Sequence, residues 1–207
     1  MRMRHKKNLD SRLGAVEDYL ITLRNDSLNF NDALSENHIL DLKEMFGNDN
    51  PVYLEIGCGK GQFGCTFAKQ NPDANIICVE KVKNVIVIAC ENAQQQGLEN
   101  IKFLNCAGEY LQSYLPSKTF ETIFLNFSCP FPKKSYASHR LTSERFLNIY
   151  KTLLKPNAPI CQKTDNMHFF EYLHNSDFED NIVTEYEEKF ASQGMPIYRL
   201  EARLKQN

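Results

Sequence analysis

No apolar run in the 207-residue sequence approaches the ~20 residues needed to cross a bilayer. The opening stretch, Met1-Arg2-Met3-Arg4-His5-Lys6-Lys7, lacks the apolar core of a signal peptide. There is no C-x-x-C pair: the seven cysteines (58, 65, 78, 90, 106, 129, 161) are odd in number and scattered. That usage suits free thiols in a reducing compartment better than disulfides or a structural zinc, so no metal is expected. Large net charge is missing too. Lys plus Arg is 24 against 26 Asp plus Glu, a formal net charge of −2, so the whole molecule is not a basic sponge for nucleic acid. Internal repeats and low-complexity tracts are absent. What is there is ordinary: 42% hydrophobic and 24% charged residues, values of a globular chain. The length favours one domain, or a domain with a small extension, with a sizeable core. A soluble cytosolic protein is expected.

The charges are sorted along the chain. Between Met1 and Leu13 there are five Lys/Arg (Arg2, Arg4, Lys6, Lys7, Arg12) against Asp10. From Glu121 to Ile160 there are six (Lys133, Lys134, Arg140, Arg145, Lys151, Lys155) against Glu121 and Glu144. From Glu171 to Glu188 the sign reverses, with seven acids and no Lys or Arg. Such runs read either as solvated surface or as a basic face that meets phosphates.

Short apolar runs alternate with helical stretches. Val52–Ile56 reads as a strand, Phe63–Gln70 as a helix closed by Asn71-Pro72, and Ile76–Val79 as a second strand ending at Glu80. Val82–Gln96 has helical spacing and stops at Gly97; Ile101–Asn105 and Thr122–Leu125 are the third and fourth strands. Ser143–Leu154 is a helix with Thr142 or Ser143 placed to cap it, and Pro159–Gln162 is a weaker fifth strand. This alternation predicts an α/β fold with a doubly wound, mostly parallel sheet. Residues 1–50 read as a basic N-terminal arm and helix, and 51–207 as the main domain, within one structural unit.

After the first strand comes E-x-G-x-G-x-G (Glu55, Gly57, Gly59, Gly61), a sharp turn whose backbone can approach a ligand closely. Position 62 is Gln, so the spacing counted from Gly57 is not the full dinucleotide fingerprint. The turn also lacks the Gly-Lys-Ser/Thr ending of a triphosphate-binding loop. Glu80 lies where an acid can accept both hydroxyls of a ribose, and the two together point to an adenosyl cofactor. Glu55 suits the cationic amine of a methionine-like tail, which favours S-adenosylmethionine over a pyrophosphate cofactor.

A second segment, Leu125-Asn126-Phe127-Ser128-Cys129-Pro130-Phe131-Pro132-Lys133-Lys134, follows the fourth strand, where ligands bind in open α/β sheets. It reads as a base-binding rim in which Phe127 or Phe131 stacks and Lys133 and Lys134 hold phosphate, with Arg140 extending the patch. The plainer reading is a Pro-rich connector. Lys163-Thr164-Asp165-Asn166 and Thr184-Glu185-Tyr186-Glu187-Glu188-Lys189-Phe190 are further polar segments. On chemistry alone, a functional role for each is evenly matched by a plainer one: Thr164 or Asp165 as a helix cap, and Glu185–Glu188 as a solvated helix face.

Taken together, Arg2-Met3-Arg4, Leu54-Glu55-Ile56-Gly57-Cys58-Gly59-Lys60-Gly61, Asn71-Pro72, Asn126-Phe127-Ser128, Pro130, Pro132-Lys133-Lys134, Arg140-Leu141-Thr142 and those two polar segments resemble the bacterial tRNA (guanine-N7-)-methyltransferases, the TrmB family. The resemblance spans nearly the whole chain. It implies a Rossmann-like methyltransferase fold with S-adenosylmethionine as donor and N7 of the variable-loop guanine of tRNA as acceptor. Carried over by position, Glu55, Gly57, Gly59, Gly61, Glu80 and Ala107 would hold the cofactor. Lys133, Asp165 and Thr184, Glu185, Tyr186 and Glu187 would contact the target nucleotide, and Lys134 and Arg140 the RNA. By the same resemblance, Cys129 and Asp165 would occupy the catalytic positions.

The chain departs from the family pattern at several points. The family reads Asn-Phe-Ser/Pro-Asp-Pro-Trp-Pro-Lys-Lys-Arg-His; here its acid is Cys129, its Trp is Phe131 and its Arg-His is Ser135-Tyr136. The family's adenine-side acid falls on Ala107, with Glu109 as a substitute. After Tyr172 a helix and strand, roughly twenty residues, are missing, so the fold is expected to be shortened toward its C-terminal part. Guanine N7 is an acceptor with an available lone pair, so catalysis is mostly positioning plus stabilisation of the cation that forms. Without the acid, a slow enzyme is expected. The alternatives are a tRNA- and cofactor-binding relative that has lost turnover, or an exocyclic-amine nucleic-acid methyltransferase.

Overall fold

The computed structural model describes residues 8–21, 39–129, 131, 134–165 and 197–203. Seven strands carry the architecture: β1 (Leu20–Ile21), β2 (Val52–Ile56), β3 (Asn75–Val79), β4 (Ile101–Leu104), β5 (Phe120–Asn126), β6 (Pro159–Thr164) and β7 (Tyr198–Arg203). They form one sheet in the order β1-β4-β3-β2-β5-β6-β7. Every pairing is parallel except the antiparallel β6–β7 ladder. The described helices are α1 (Leu9–Gly14), α2 (Leu42–Phe46), α3 (Gln62–Gln70), α4 (Lys83–Gln95), α5 (Leu111–Tyr114) and α6 (Glu144–Leu153).

The central strands are apolar nearly throughout because both faces of the sheet are covered. All five residues of β3 are buried, and its side chains alternate between two cores, as the two-residue period of a strand requires. Ile76 and Cys78 join Phe63, Phe67, Ala89 and Phe103 beneath α3 and α4. Ile77 and Val79 join Leu54, Ile123, Phe146 and Tyr150 beneath α5 and α6. Phe103 and Tyr150, both fully buried, each contribute on the order of 3–5 kcal/mol by the usual cost of truncating a core aromatic.

Several elements differ from the sequence reading. The first fifty residues supply a strand as well as helices: β1 pairs with β4 in parallel, and Tyr19 O accepts from Phe103 N at 2.8 Å. Arg12, one of the five arm cations, donates from Nε and Nη2 to the two carboxylate oxygens of Glu91 on α4, both at 2.6 Å. Its charge ties α1 to the domain and is already neutralised there. β5 and β6 run longer than their apolar runs, because pairing continues through polar residues such as Asn126, Lys163 and Thr164. Ser143 stands at the N-cap of α6 without capping it; its hydroxyl donates to Ser138 O at 3.1 Å. The shortened stretch after Tyr172 lies outside the described residues, and β7 closes the sheet edge beyond β6 with a six-residue ladder.

Candidate active site

The turn after β2 is held by β3: Gly57 N and Cys58 N both donate to Val79 O, at 2.8 and 3.0 Å. Gly57 takes φ +82°, with open space where a Cβ would stand, so conformation alone demands glycine here. Gly59 also has positive φ, and Gly61 is the left-handed N-cap of α3, where a Cβ would lie 2.7 Å from Ala89 Cβ. Gly64 completes the set: a Cβ on it would stand 2.3 Å from Cys78 Sγ. Counted from Gly59, the spacing is therefore G-x-G-x-x-G through Gly64, with the third glycine allowing close helix–strand packing. Gly57 stands outside this spacing.

A cavity of about 620 Å³ lies over the carboxyl ends of β2, β3 and β5, a size within the ~300–1,000 Å³ of small-molecule sites. This is the switch point of the sheet, where strand order reverses from β2 toward β3 on one side and β5 on the other. Ile56 and Gly57 form its floor, Val79, Glu80, Cys106, Gly108 and Glu109 one wall, and Asn126, Phe127, Ser128 and Cys129 the other. Phe131, Tyr136, His139, Leu141 and Phe146 complete it. Glu80 Oε1 accepts from Val82 N at 2.9 Å, and Asn105 Nδ2 donates to Glu80 O at 2.8 Å, so the residue is fixed at the cavity edge. Ala107 is outside the lining, whereas Glu109 is in it. An acid two residues beyond Ala107 thus reaches the cavity wall.

Glu55 is buried under the floor and is not a lining residue. Its side chain points toward α3, opposite to Leu54 and Ile56. Asn126 Nδ2 donates to Glu55 Oε1 at 2.9 Å, and Cys78 Sγ donates to Oε2 at 3.6 Å. Asn126 does line the cavity, so Glu55 reaches the site by fixing that amide. Burial pushes the Glu55 carboxyl from 4.5 up to about 7, against the lowering pull of Asn126, Cys78, Gly64 N and Lys163. A raised folded-state value means the stabilisation is complete below the unfolded value and is lost as pH rises through about 7. The Glu55→Gln protein, indifferent to pH here, is expected to gain on wild type by about 3 kcal/mol between pH 4.5 and 8. Paired thermal melts across that window check this; a constant difference rejects it.

The loop after β5 is strained at two aromatics. Phe127 has φ +50° and Phe131 φ +41°, left-handed conformations that bulky residues hold only when their surroundings enforce them. The enforcing bonds are visible: Phe127 N donates to Lys163 O at 2.9 Å, and Arg140 Nη2 and Nε donate to Phe131 O at 2.9 and 3.3 Å. Arg140, expected to extend an RNA-facing patch, is thus engaged in bracing the rim. Ser128 Oγ is buried with no partner among the described residues, a polar atom at the cavity wall left for a ligand.

Cys129 is exposed and lines the cavity. Asp165 follows β6 and is not among the residues that line the cavity. Lys133 and Thr184, Glu185, Tyr186 and Glu187 lie outside the described residues, and of Lys134 only the backbone is described, opening the 3-10 helix Lys134–His139. Among the described residues no cluster of three or more metal-ligand side chains occurs, and no helix is long and apolar enough to cross a membrane.

A family model described as "Putative methyltransferase" matches residues 49–200. The chain is 41% identical over 222 residues to the tRNA (guanine-N(7)-)-methyltransferase of Bacillus licheniformis, covering 98% of each protein. It is 39% identical over 221 residues to that of Bacillus cytotoxicus, covering 98% of this chain and 97% of the relative. Both alignments run longer than the 207 residues of this chain, which is therefore shorter within the matched span. A solved antibiotic-related methyltransferase shares the fold with TM-score 0.60 at 15% identity, over 83% of this chain and 99% of that one. With the glycine turn, the cavity at the switch point and near-complete alignments in agreement, the chain belongs to the bacterial tRNA (guanine-N7-)-methyltransferases, the TrmB family.

Proposed function

We propose that this protein transfers a methyl group from S-adenosylmethionine to N7 of the variable-loop guanine of tRNA. The observation that carries the reading is the cavity at the ends of β2, β3 and β5, which joins the glycine turn to the Asn126–Cys129 loop. Its groups fit the cofactor. Gly57 leaves its backbone open to close approach, and Glu80 keeps one carboxylate oxygen beyond the Val82 bond for a ribose hydroxyl. Ser128 Oγ has hydrogen-bonding capacity to spare. When bound, the cofactor supplies a methyl on a positively charged sulfur, and the guanine lone pair needs no general base. The work left to the chain is to hold the purine in line, exclude water and stabilise the charge appearing on the ring.

In this reading Glu55 acts through Asn126, Gly59 and Gly61 shape the turn, and Lys133 and Lys134 meet RNA phosphates. Asp165 and the Thr184–Glu187 segment contact the nucleotide. Residues 1–50 bring basic charge to the RNA and 51–207 carry the reaction; tRNA as substrate places the protein in the cytoplasm. Because the family acid is Cys129, turnover is slow. The test incubates the purified protein with unmodified tRNA and methyl-labelled donor, then cleaves with borohydride and aniline, which cut at N7-methylguanosine. Scission at one variable-loop guanine is expected; label incorporated without scission rejects N7 as the acceptor.

The Glu80→Gln protein keeps an oxygen for Val82 N but loses the charge. It should bind the cofactor about tenfold more weakly or worse, as a hydrogen bond to a charged group is worth ~1.5–3 kcal/mol. Calorimetry decides this, and unchanged affinity removes the ribose assignment.

A further inference from the structure

We propose that Phe131, Tyr136 and His139 form an aromatic rim that receives the target guanine on its ring faces and steadies the positive charge N7 acquires on methylation. The proposal rests on the function above and assigns part of its charge stabilisation to rings in place of the family acid. Phe131 and Tyr136 have centroids 6.5 Å apart, Phe131 and His139 6.0 Å, and Tyr136 and His139 5.9 Å. All three line the cavity. Tyr136 and His139 are three residues apart in the 3-10 helix Lys134–His139; three residues per turn set both on one face.

The ring planes are inclined by 46–57°, a tilt that core aromatics also adopt; what sets these rings apart is that all three sit at the cavity wall, where a planar guest can reach them. Tyr136 is 48% exposed, one of two large hydrophobics exposed to that degree among the described residues. It therefore gains little from burial. Phe131 is held in left-handed backbone geometry by the two Arg140 bonds to its carbonyl, which fixes the backbone that carries one of the three rings. An aromatic face carries negative quadrupole density and attracts a cation with ~0.5–2 kcal/mol. N7-methylguanine is cationic and guanine is not, so the attraction grows as the methyl is transferred. Interactions of that kind speed the chemical step.

The test uses full-length protein loaded with S-adenosylhomocysteine and two probes, guanosine 5′-monophosphate and its N7-methyl derivative. Both carry the same sugar and phosphate, so lysine–phosphate contacts cancel in the comparison. Calorimetry should show the methylated nucleotide bound about three- to tenfold more tightly. Tyr136→Phe should keep that preference and Tyr136→Ala should reduce it to near parity, with a matching fall in kcat on tRNA for the alanine variant only. Equal affinities in wild type, or a preference surviving Tyr136→Ala, overturn the rim. If wild type methylates N7 of tRNA yet fails to distinguish the nucleotides, the rim alone falls. If no methyl reaches N7, the functional reading beneath it falls, whatever the nucleotides show.

Discussion

Replacing Cys129 with aspartate is expected to raise the rate of N7 methylation by on the order of 10²-fold, the lower end of what an electrostatic partner contributes in an active site. The site is placed for it: Cys129 lines the cavity beside Ser128, at the position where the family carries an acid. A carboxylate there faces a ring that is neutral before transfer and cationic after it, so its attraction is felt in the transition state more than in the bound substrate. The gain should therefore appear in kcat with little change in KM. Exposure of Cys129 to water weakens the interaction relative to a dry site, which favours the lower figure. Cys129→Asn, similar in size and uncharged, is the control and should give no comparable gain. Initial rates on saturating tRNA measure all three proteins, and an aspartate variant no faster than the asparagine one would remove the charge argument.

The sheet was legible because its signal is local. Runs such as Ile76–Val79 and Ile101–Asn105 are short, rich in β-branched or aromatic residues and bounded by turn residues, the mark of covered strands. β1 was not legible: two residues, Leu20 and Ile21, are strand only because β4 and the Arg12–Glu91 link hold them against the edge. Tertiary contact, not propensity, makes that strand. Glu55 shows the reverse difficulty. Its place at a strand end suggested a ligand contact. The same two-residue alternation that sends Leu54 and Ile56 to one core sends its carboxylate to the other side, under α3. Gly64 is visible in the sequence, but only as the third glycine of a spacing that starts at Gly59.

The far wall of the cavity, Tyr136, His139, Leu141 and Phe146, comes from a segment that folds back over the strand ends. Its neighbours are remote in sequence and no local pattern announces the closure, apart from the three-residue spacing of Tyr136 and His139. Arg140 is the companion case. Its charge reads as a phosphate contact, while its guanidinium is committed to the Phe131 carbonyl. Charge shows in a sequence, but whether a charge is already engaged does not.

Gly61→Ala is expected to destabilise the fold by about 2–5 kcal/mol. Two costs combine. The backbone at φ +77° is left-handed, which costs an L side chain roughly 1–2 kcal/mol. The new Cβ would also stand 2.7 Å from Ala89 Cβ and 3.2 Å from Ala89 Cα, and Ala89 is fully buried on α4. The second contact is backbone, so relief requires moving the helix; overpacking of this kind costs roughly 1–3 kcal/mol. Gly47 separates the two terms: it has φ +69° and nothing within 4 Å of its Cβ position, so Gly47→Ala carries the backbone cost alone. For a chain of this size each kcal/mol lowers Tm by roughly 2–4 °C, and the Gly61 variant should melt several degrees below the Gly47 variant. The same displacement moves the turn that carries Gly57, so the rise in Tm on adding S-adenosylhomocysteine, which follows RT ln(1 + [L]/Kd), should shrink for Gly61→Ala and persist for Gly47→Ala. Equal melting of the two variants would mean that α4 does not press on the glycine turn.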